Sequence, residues 1–228
     1  MKHKEIAFDI AEEVLALGLR CAVFTLENLK NRAADGKFEE IKTRLTKDIL
    51  ADLSLAQIVA DPILQGFQQL HDAVGRSNKK YVSSSENLLK ILLQTGRLPH
   101  INLLVDIYNL VSVKTRLSIG AYDTAAVCGN IHLRLTTGKE RFWPLGADAL
   151  KPVEADEYAY IDDQNNILCR LEVRQGEQTK ITLDTTDCVC IVQGNPATDA
   201  AYIKATTEEL VALLKRFCGG QERILYTP

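Results

Sequence analysis

Hydrophobic residues recur at helical spacing through the first half of the chain. Three stretches carry apolar side chains three and four residues apart: 36–50, 61–75 and 83–96. That spacing places the apolar side chains on one face and predicts three amphipathic helices. A proline in the first turn of the second stretch and a capping-box pair in the third, Ser83 with Glu86, mark helix starts.

The period of the pattern changes from helical to alternating after residue 119. Together with two stretches near the N-terminus, this alternation predicts strands at 6–8, 19–26, 131–135, 158–161, 167–171, 188–192 and 223–226. Thr206 with Glu209 has capping-box spacing and predicts a last helix, which Gly219-Gly220 ends. Helices, then strands, then one helix indicate an α+β fold with a mixed or antiparallel, sandwich-like sheet core flanked by helices.

Length and charge narrow the kinds of protein that the chain can be. A chain of 228 residues suits a single domain, 1–228, and this domain could consist of two lobes. The net charge of −3 argues against nucleic-acid binding through bulk charge, but it is compatible with a local basic patch. The sequence shows no apolar run of membrane-spanning length and no secretory signal, so we expect a cytoplasmic protein without membrane contact.

Cysteine and histidine follow no metal-binding pattern in the sequence. The six cysteines include no Cys-x-x-Cys pair, and the four histidines are not spaced as ligand pairs. We therefore expect free thiols, no metal and no cofactor. The sequence also contains no nucleophile elbow, phosphate loop or dinucleotide fingerprint, so an enzyme built on this chain would rely on positioning its substrate.

The most informative stretch covers residues 98–123. Its first part has helical spacing, with an apolar face beside a polar stripe of Asp106, Asn109 and Ser112. Asn and Ser are poor helix formers, so this stripe either faces water or holds hydrogen-bonding groups for a purpose. The second part, 118–123, is predicted as a turn that places a glycine next to an aromatic residue and a carboxylate.

That stretch resembles the editing domain of the phenylalanyl-tRNA synthetase beta chain, and more closely the free-standing proteins made of this B3/B4 tRNA-binding domain alone. The shared pattern is Asn-x-x-Val-Asp-x-Tyr-Asn-x-x-Ser, from residue 102, followed by Gly-Ala-Tyr-Asp, from residue 120. The similarity extends over residues 61–220. It implies the fold of that domain and contact with the aminoacylated 3′ end of tRNA. The synthetase's ATP-using domain is not recognised, so tRNA charging is not implied.

The turn at 174–177 is the main candidate for chemistry. Gly176 allows close backbone approach or a positive φ, and Glu177 beside it could bind a substrate ammonium or hold a water molecule. From the residues alone, an exposed turn carboxylate is the alternative. A Gly-Gly-Glu stretch takes the matching place in the synthetase domain, so the resemblance implies a catalytic role for Glu177.

Asn109 is the second catalytic candidate, because the resemblance places it near the tRNA end and the acyl group; a helix asparagine facing water is the alternative. The resemblance also implies substrate contacts at Gly120, Tyr122, Asp123, Arg174, Gln175, Gly176 and Thr185. One departure is that the synthetase domain carries a histidine where Gly120 stands, so its selectivity does not carry over. Asp123 also suits a structural role, as acceptor in an Asx turn.

Two basic clusters are candidates for RNA contact. They are formed by Arg76, Lys79 and Lys80, and by Lys114 and Arg116. A solvated turn is the alternative for the first cluster. Arg134 is interpreted as a strand-face arginine in preference to a phosphate contact.

Three functions are compatible with this sequence. The first is a trans-acting hydrolase that deacylates mischarged aminoacyl-tRNA, a reaction that needs no nucleophile motif because the ester is already reactive. The second is a non-catalytic tRNA- or RNA-binding module, and the third is a sensor that binds a free amino acid. The turn at 174–177 favours a pocket over a flat RNA surface. The sequence indicates neither the tRNA, nor the amino acid, nor the oligomeric state.

Overall fold

The structure is a computed structural model, which describes residues 4–77 and 79–228. Within them the strands are β1 (Phe8–Ile10), β2 (Arg20–Glu27), β3 (Ser118–Asp123), β4 (Ile131–Thr137), β5 (Ala155–Asp162), β6 (Ile167–Arg170), β7 (Arg174–Gln175), β8 (Cys188–Gly194) and β9 (Gln221–Tyr226). The helices are α1 (Glu12–Ala16), α2 (Gly36–Ala51), α3 (Leu55–Ala60), α4 (Pro62–Ala73), α5 (Ser84–Thr95), α6 (Leu103–Thr115) and α7 (Ala200–Cys218).

The strands form two sheets, which confirms the α+β fold with mixed and antiparallel pairing. A five-stranded sheet has the order β1-β4-β5-β6-β7, with β1 parallel to β4 and the other pairs antiparallel. A four-stranded antiparallel sheet has the order β3-β8-β2-β9, so the predicted C-terminal edge strand is confirmed. No helix within 4–77 and 79–228 combines the length and the apolar character needed to cross a bilayer.

The four-stranded sheet lies between the helices and the five-stranded sheet. Alternate side chains of a strand point to opposite faces, so Phe24 and Cys190 pack among the helices, whereas Val23 and Ile191 pack against the other sheet. All seven residues of β8 are buried, as this central position requires. Two hydrophobic layers therefore enclose the sheet.

The central helix α6 is buried on nearly every side. The side chain of Asn102 caps it by accepting a hydrogen bond from the amide of Val105 at 3.1 Å. The polar stripe of the sequence lies inside the protein: Asp106, Asn109 and Ser112 are 1%, 8% and 0% exposed. The interpretation in which this stripe faces water is therefore excluded.

Several local predictions were wrong, among them the following two. Residues 118–123 are strand β3 and not a turn, because Gly120 pairs with Ile191 in a ladder with β8. The last helix begins at residue 200 instead of near Thr206, since the side chain of Asp199 accepts a hydrogen bond from the amide of Tyr202 at 2.7 Å and caps it.

Candidate functional site

A cavity of about 460 Å³ opens between the two sheets, beside α5 and α6. It brings together residues that are distant in the sequence. Of the predicted residues, those that line it are Lys80, Asn109, Gly120, Tyr122, Arg174 and Gln175. Concave sites of this size accept small ligands or the end of a larger one.

Asn109 presents a polar group to the cavity from the middle of α6. Asn109 is only 8% exposed. Within the part of the chain that the structure describes, its amide makes no hydrogen bond. Its amide atoms are not among the fully buried polar atoms that lack a partner, so they are accessible from the cavity and open to a ligand or water.

Gly120 and Tyr122 shape the wall that β3 contributes. A Cβ atom built on Gly120 would lie 2.8 Å from the hydroxyl oxygen of Tyr122. Burial raises the pKa of Tyr122 well above its ordinary value, so its hydroxyl stays protonated. The glycine therefore leaves room for the tyrosine hydroxyl, which occupies the space that a side chain at 120 would take.

The segment 174–177, predicted as a turn, instead begins with strand β7 and continues into a bridge between Gly176 and Pro144, and only its first half lies at the cavity. Arg174 is exposed at the rim, and the side-chain amide of Gln175 donates to the carbonyl oxygen of Ala121 at 3.0 Å. Gly176 makes the close backbone approach that the sequence predicts, because a Cβ atom there would lie 2.6 Å from the carbonyl oxygen of Ile167. That approach is to strand β6 and not to the cavity.

Glu177 lies outside the residues that line the cavity. Its carboxylate accepts a hydrogen bond from the amide of Gly146 at 2.9 Å and pairs with Lys180. The ion pair with Lys180, followed by the bond from Gly146, lowers the pKa of Glu177. In this structure the carboxylate therefore fastens the segment around residue 146, and it is not brought together with Asn109.

Asp123 and Thr185 lie next to each other, away from that cavity. The hydroxyl of Thr185 donates to the carboxylate of Asp123 at 2.6 Å, and the amide of Ala125 donates to the same carboxylate at 2.9 Å. Asp123 thereby has the acceptor geometry of the Asx turn expected for it. Both residues hold the chain where it leaves β3.

A buried carboxylate, Glu172, lies at the cavity and was missed by the sequence analysis. It is 6% exposed and accepts hydrogen bonds from the Tyr158 hydroxyl at 2.6 Å and the Gln193 amide at 3.0 Å. The Nε2 atom of His71 lies 2.7 Å from its other oxygen. Burial, and then the charge of Glu172, raise the pKa of Tyr158, which keeps its hydroxyl a donor. The carboxylate is therefore held by side chains from three separate parts of the chain.

The backbone at Glu172 is unusual as well. Leu171 and Glu172 are consecutive non-glycine residues with φ of 53° and 43°. Such left-handed conformations are uncommon outside glycine and cluster at functional positions. No sequence signal marked Glu172, because His71 lies 101 residues away in the chain.

The three residues of the first basic cluster differ in their surroundings: Arg76 is ion-paired, and the two lysines are exposed. Arg76 pairs with Glu157, a fully buried carboxylate. Arg170 binds the same carboxylate, with one hydrogen bond of 2.7 Å from its guanidinium. The hydrogen bond to Glu157 raises the pKa of Arg76. Lys79 and Lys80, in contrast, are exposed. Within this cluster, therefore, only the two lysines have exposed side chains.

The second basic cluster is neutralised by nearby carboxylates. Lys114 pairs with Glu209 at 2.6 Å, and Arg116 pairs with Asp61 at 3.3 Å. Neither Lys114 nor Arg116 lines the cavity.

One group of side chains within the described ranges has the spacing of metal ligands. Glu39, His100 and Asp106 bring their ligand atoms within 4.8 Å of one another. The ammonium of Lys42 lies 2.8 Å from both carboxylates, so a protein cation already occupies this position. The six cysteines are free thiols, and burial raises the pKa of Cys169 to about 12, which makes it a poor nucleophile.

Known proteins are similar to this chain in sequence and in fold. Residues 68–219, more than half of the chain, match the family described as B3/4 domain. A phenylalanine–tRNA ligase beta subunit from Aromatoleum aromaticum (strain DSM 19018 / LMG 30748 / EbN1) is 31% identical to this chain over 99 aligned residues. The alignment covers 43% of this chain and 12% of the ligase subunit.

The fold is similar to a crystal structure of an N-terminal fragment of the phenylalanyl-tRNA synthetase beta subunit from Pyrococcus horikoshii. The TM-score is 0.50 at 16% identity, over 97% of this chain and 51% of that one. This chain thus spans about half of that fragment and a small part of the ligase subunit. The resemblance seen in the sequence is confirmed, and the chain belongs to the B3/4 domain family.

Proposed function

We propose that the cavity binds the aminoacylated 3′ end of a tRNA and that the protein hydrolyses the ester of a mischarged aminoacyl-tRNA. The proposal rests on family membership and on the residues that line the cavity. The ligase and synthetase subunits that the chain resembles are named for phenylalanine and tRNA, and both relations cover only part of those proteins.

The distribution of charge along the cavity is the observation that carries the proposal. Glu172 is the carboxylate among its lining residues within the described ranges, and it is buried. Lys80 and Arg174 line the same cavity and are exposed. An aminoacylated 3′ end carries an ammonium at the acyl group and phosphates on the other side of the ribose. Its charges therefore match a buried carboxylate and exposed cations.

The hydrolysis itself asks little of the protein. An aminoacyl ester reacts with water once the water is held and charge on the carbonyl oxygen is stabilised. The free amide of Asn109 offers two N–H donors and one acceptor at the cavity, which suits it to either task. We assign Asn109 a catalytic role and Glu172 the recognition of the ammonium.

Binding without hydrolysis is the second candidate. The observation that favours it is the position of Glu177, which is bound to Gly146 and Lys180 outside the cavity. No other group that the cavity presents from the described ranges is an obvious general base, since Glu172 is engaged by Tyr158, Gln193 and His71. A module for tRNA or a sensor for a free amino acid would use the same lining.

A deacylation screen separates these candidates. The protein is mixed with a panel of mischarged tRNAs, and loss of the aminoacyl group is followed alongside tRNA affinity. The proposal expects hydrolysis of at least one member and a loss of roughly 10²-fold in rate for Asn109→Ala, the low end for removing one transition-state donor. Tight tRNA binding without hydrolysis of any member would replace the enzyme with the binding module.

A further inference from the structure

An exposed apolar ledge lies beside the cavity, on the segment that joins β4 to β5. Three large apolar side chains of this segment reach solvent: Trp143, Leu145 and Leu150 are 36%, 40% and 53% exposed. The neighbouring Phe142 is 2% exposed and packs in a cluster with Ala159, so the segment is anchored to the five-stranded sheet. Exposed apolar groups on an anchored segment are typical of binding surfaces.

Backbone bonds place the ledge at the cavity. The amide of Leu145 donates to the carbonyl of Gln175 at 2.8 Å, and the amide of Glu177 donates to the carbonyl of Trp143 at 2.7 Å. Pro144 forms a bridge with Gly176 between them and is buried. Alternate residues of an extended segment share a face, so we infer that Trp143 points to the same side as Leu145, which lines the cavity; Trp143 itself lies just beyond that lining.

The indole of Trp143 is held in place. Its Nε1 atom donates to the carbonyl of Ala147 at 2.7 Å, which satisfies the ring's polar group. The next turn is fixed by the bond from the Gly146 amide to Glu177. A fixed ring loses little conformational entropy on binding, and its exposed surface is apolar.

We propose that Trp143 stacks on an unpaired nucleobase next to the aminoacylated nucleotide, which rests on the proposed function. The choice of a nucleobase as the group that Trp143 binds follows from the residues near the ring. Lys80 and Arg174 are exposed at the same cavity and suit phosphates. An aromatic ring beside exposed cations is the arrangement with which proteins bind single-stranded nucleic acid, stacking on bases and pairing with the backbone.

Trp143 is the sole tryptophan of the chain, so tryptophan fluorescence reports on the surroundings of this side chain. The probe is a single-stranded RNA that ends in cytidine-cytidine-adenosine, compared with an RNA of the same length whose last two bases are replaced by abasic sugars. Stacking predicts that the first RNA quenches the fluorescence and that the abasic RNA does not. Quenching should saturate over the concentrations at which fluorescence polarisation of a labelled RNA shows binding.

Variants test the same contact by polarisation. Trp143→Ala should weaken binding roughly 5- to 100-fold, the loss expected for one stacked base, whereas Trp143→Phe should keep most of the affinity. Leu183→Ala is the matched control, because Leu183 is 55% exposed and does not line the cavity. Circular dichroism checks that each variant is folded.

The outcomes separate this inference from the function on which it rests. RNA binding that leaves the fluorescence and the Trp143→Ala affinity unchanged would overturn the stacking and leave the proposed function standing. Equal losses in Trp143→Phe and Trp143→Ala, or equal quenching by the abasic RNA, would also overturn it. No binding of either RNA or of tRNA would remove both proposals.

Discussion

The hydroxyl of Tyr122 occupies the space in which a side chain at position 120 would begin. A Cβ atom on Gly120 would lie 2.8 Å from that oxygen, closer than such atoms pack. Tyr122 is 3% exposed, so its ring cannot move aside without disturbing the layer between the sheets. The glycine and the tyrosine therefore form one unit of the cavity wall, and neither is free to change alone.

Gly120→Ala should destabilise the protein by about 1–3 kcal/mol through overpacking, and Tyr122→Phe in the same chain should recover part of the loss. Urea unfolding of both variants measures this. Gly36→Ala is the control, since no atom lies within 4 Å of a Cβ built there. A stable Gly120→Ala variant would refute the steric account. Gly120→His should displace the tyrosine and, by shrinking the cavity, narrow the range of amino acids that the protein accepts.

Glu177 is expected to act by holding the ledge segment and not as a base. Glu177→Gln keeps an oxygen for the Gly146 amide, so it should retain hydrolysis within a few-fold, whereas Glu177→Ala should raise KM for tRNA with little change in kcat. Steady-state kinetics of both variants, with the exposed Asp184→Ala as control, provides the test. If Glu177→Gln loses 10²-fold or more in kcat, the catalytic role predicted from the sequence is the better account.

Glu140 should make the free energy of unfolding depend on pH in the acidic range. Burial opposes its ionisation, but hydrogen bonds from Arg134 and Thr137 outweigh this and lower its pKa from 4.5 to about 2. A lowered folded-state pKa means that the stabilisation is complete above pH 4.5 and is lost as the pH falls toward 2. The whole effect is about 3 kcal/mol at most.

Glu140→Gln should therefore be less stable than the wild type at neutral pH and should lose less stability between pH 4.5 and 2. Urea unfolding across that range measures both. Glu208→Gln is the control, because its carboxyl is 69% exposed. Parallel pH profiles for wild type and Glu140→Gln would contradict this assignment.

The salt dependence of RNA binding should identify the cations that meet phosphate. Lys80→Ala and Arg174→Ala should each flatten the log-log salt slope by about 0.7, the value for a single-stranded contact. Lys114→Ala should leave the slope unchanged, because that lysine is paired with Glu209. Binding constants at several salt concentrations give the slopes. A larger change for Lys114→Ala than for Lys80→Ala would reverse the assignment.

The elements that carry local signals could be predicted from the sequence. Pro62 follows Asp61, whose carboxylate caps α4, and Ser83 caps α5, so both helices start where they were expected. The start of α7 was misplaced because Thr206 and Glu209 imitate a cap inside the helix. A glycine within 118–123 suggested a turn, whereas pairing with β8, 70 residues on, decides the strand.

The chemistry of the site depended on contacts that no local pattern reveals. Asp106 is bound by Lys42 from another helix, which explains how a polar stripe is buried. Glu172 becomes a buried acceptor only because Tyr158, Gln193 and His71 converge on it from separate elements. Asn109, in contrast, was found from its motif and does lie at the cavity.

The central claim, that the cavity holds an aminoacylated 3′ end with its ammonium toward Glu172, is tested most directly by three forms of one tRNA. They are tRNA carrying an amino acid through a non-hydrolysable amide link, the same tRNA after N-acetylation, and uncharged tRNA, compared over a panel of amino acids. We expect at least one charged tRNA to bind about 10-fold or more tightly than its acetylated form, and Glu172→Gln to erase that difference. Equal affinities for all three forms across the whole panel would contradict the claim.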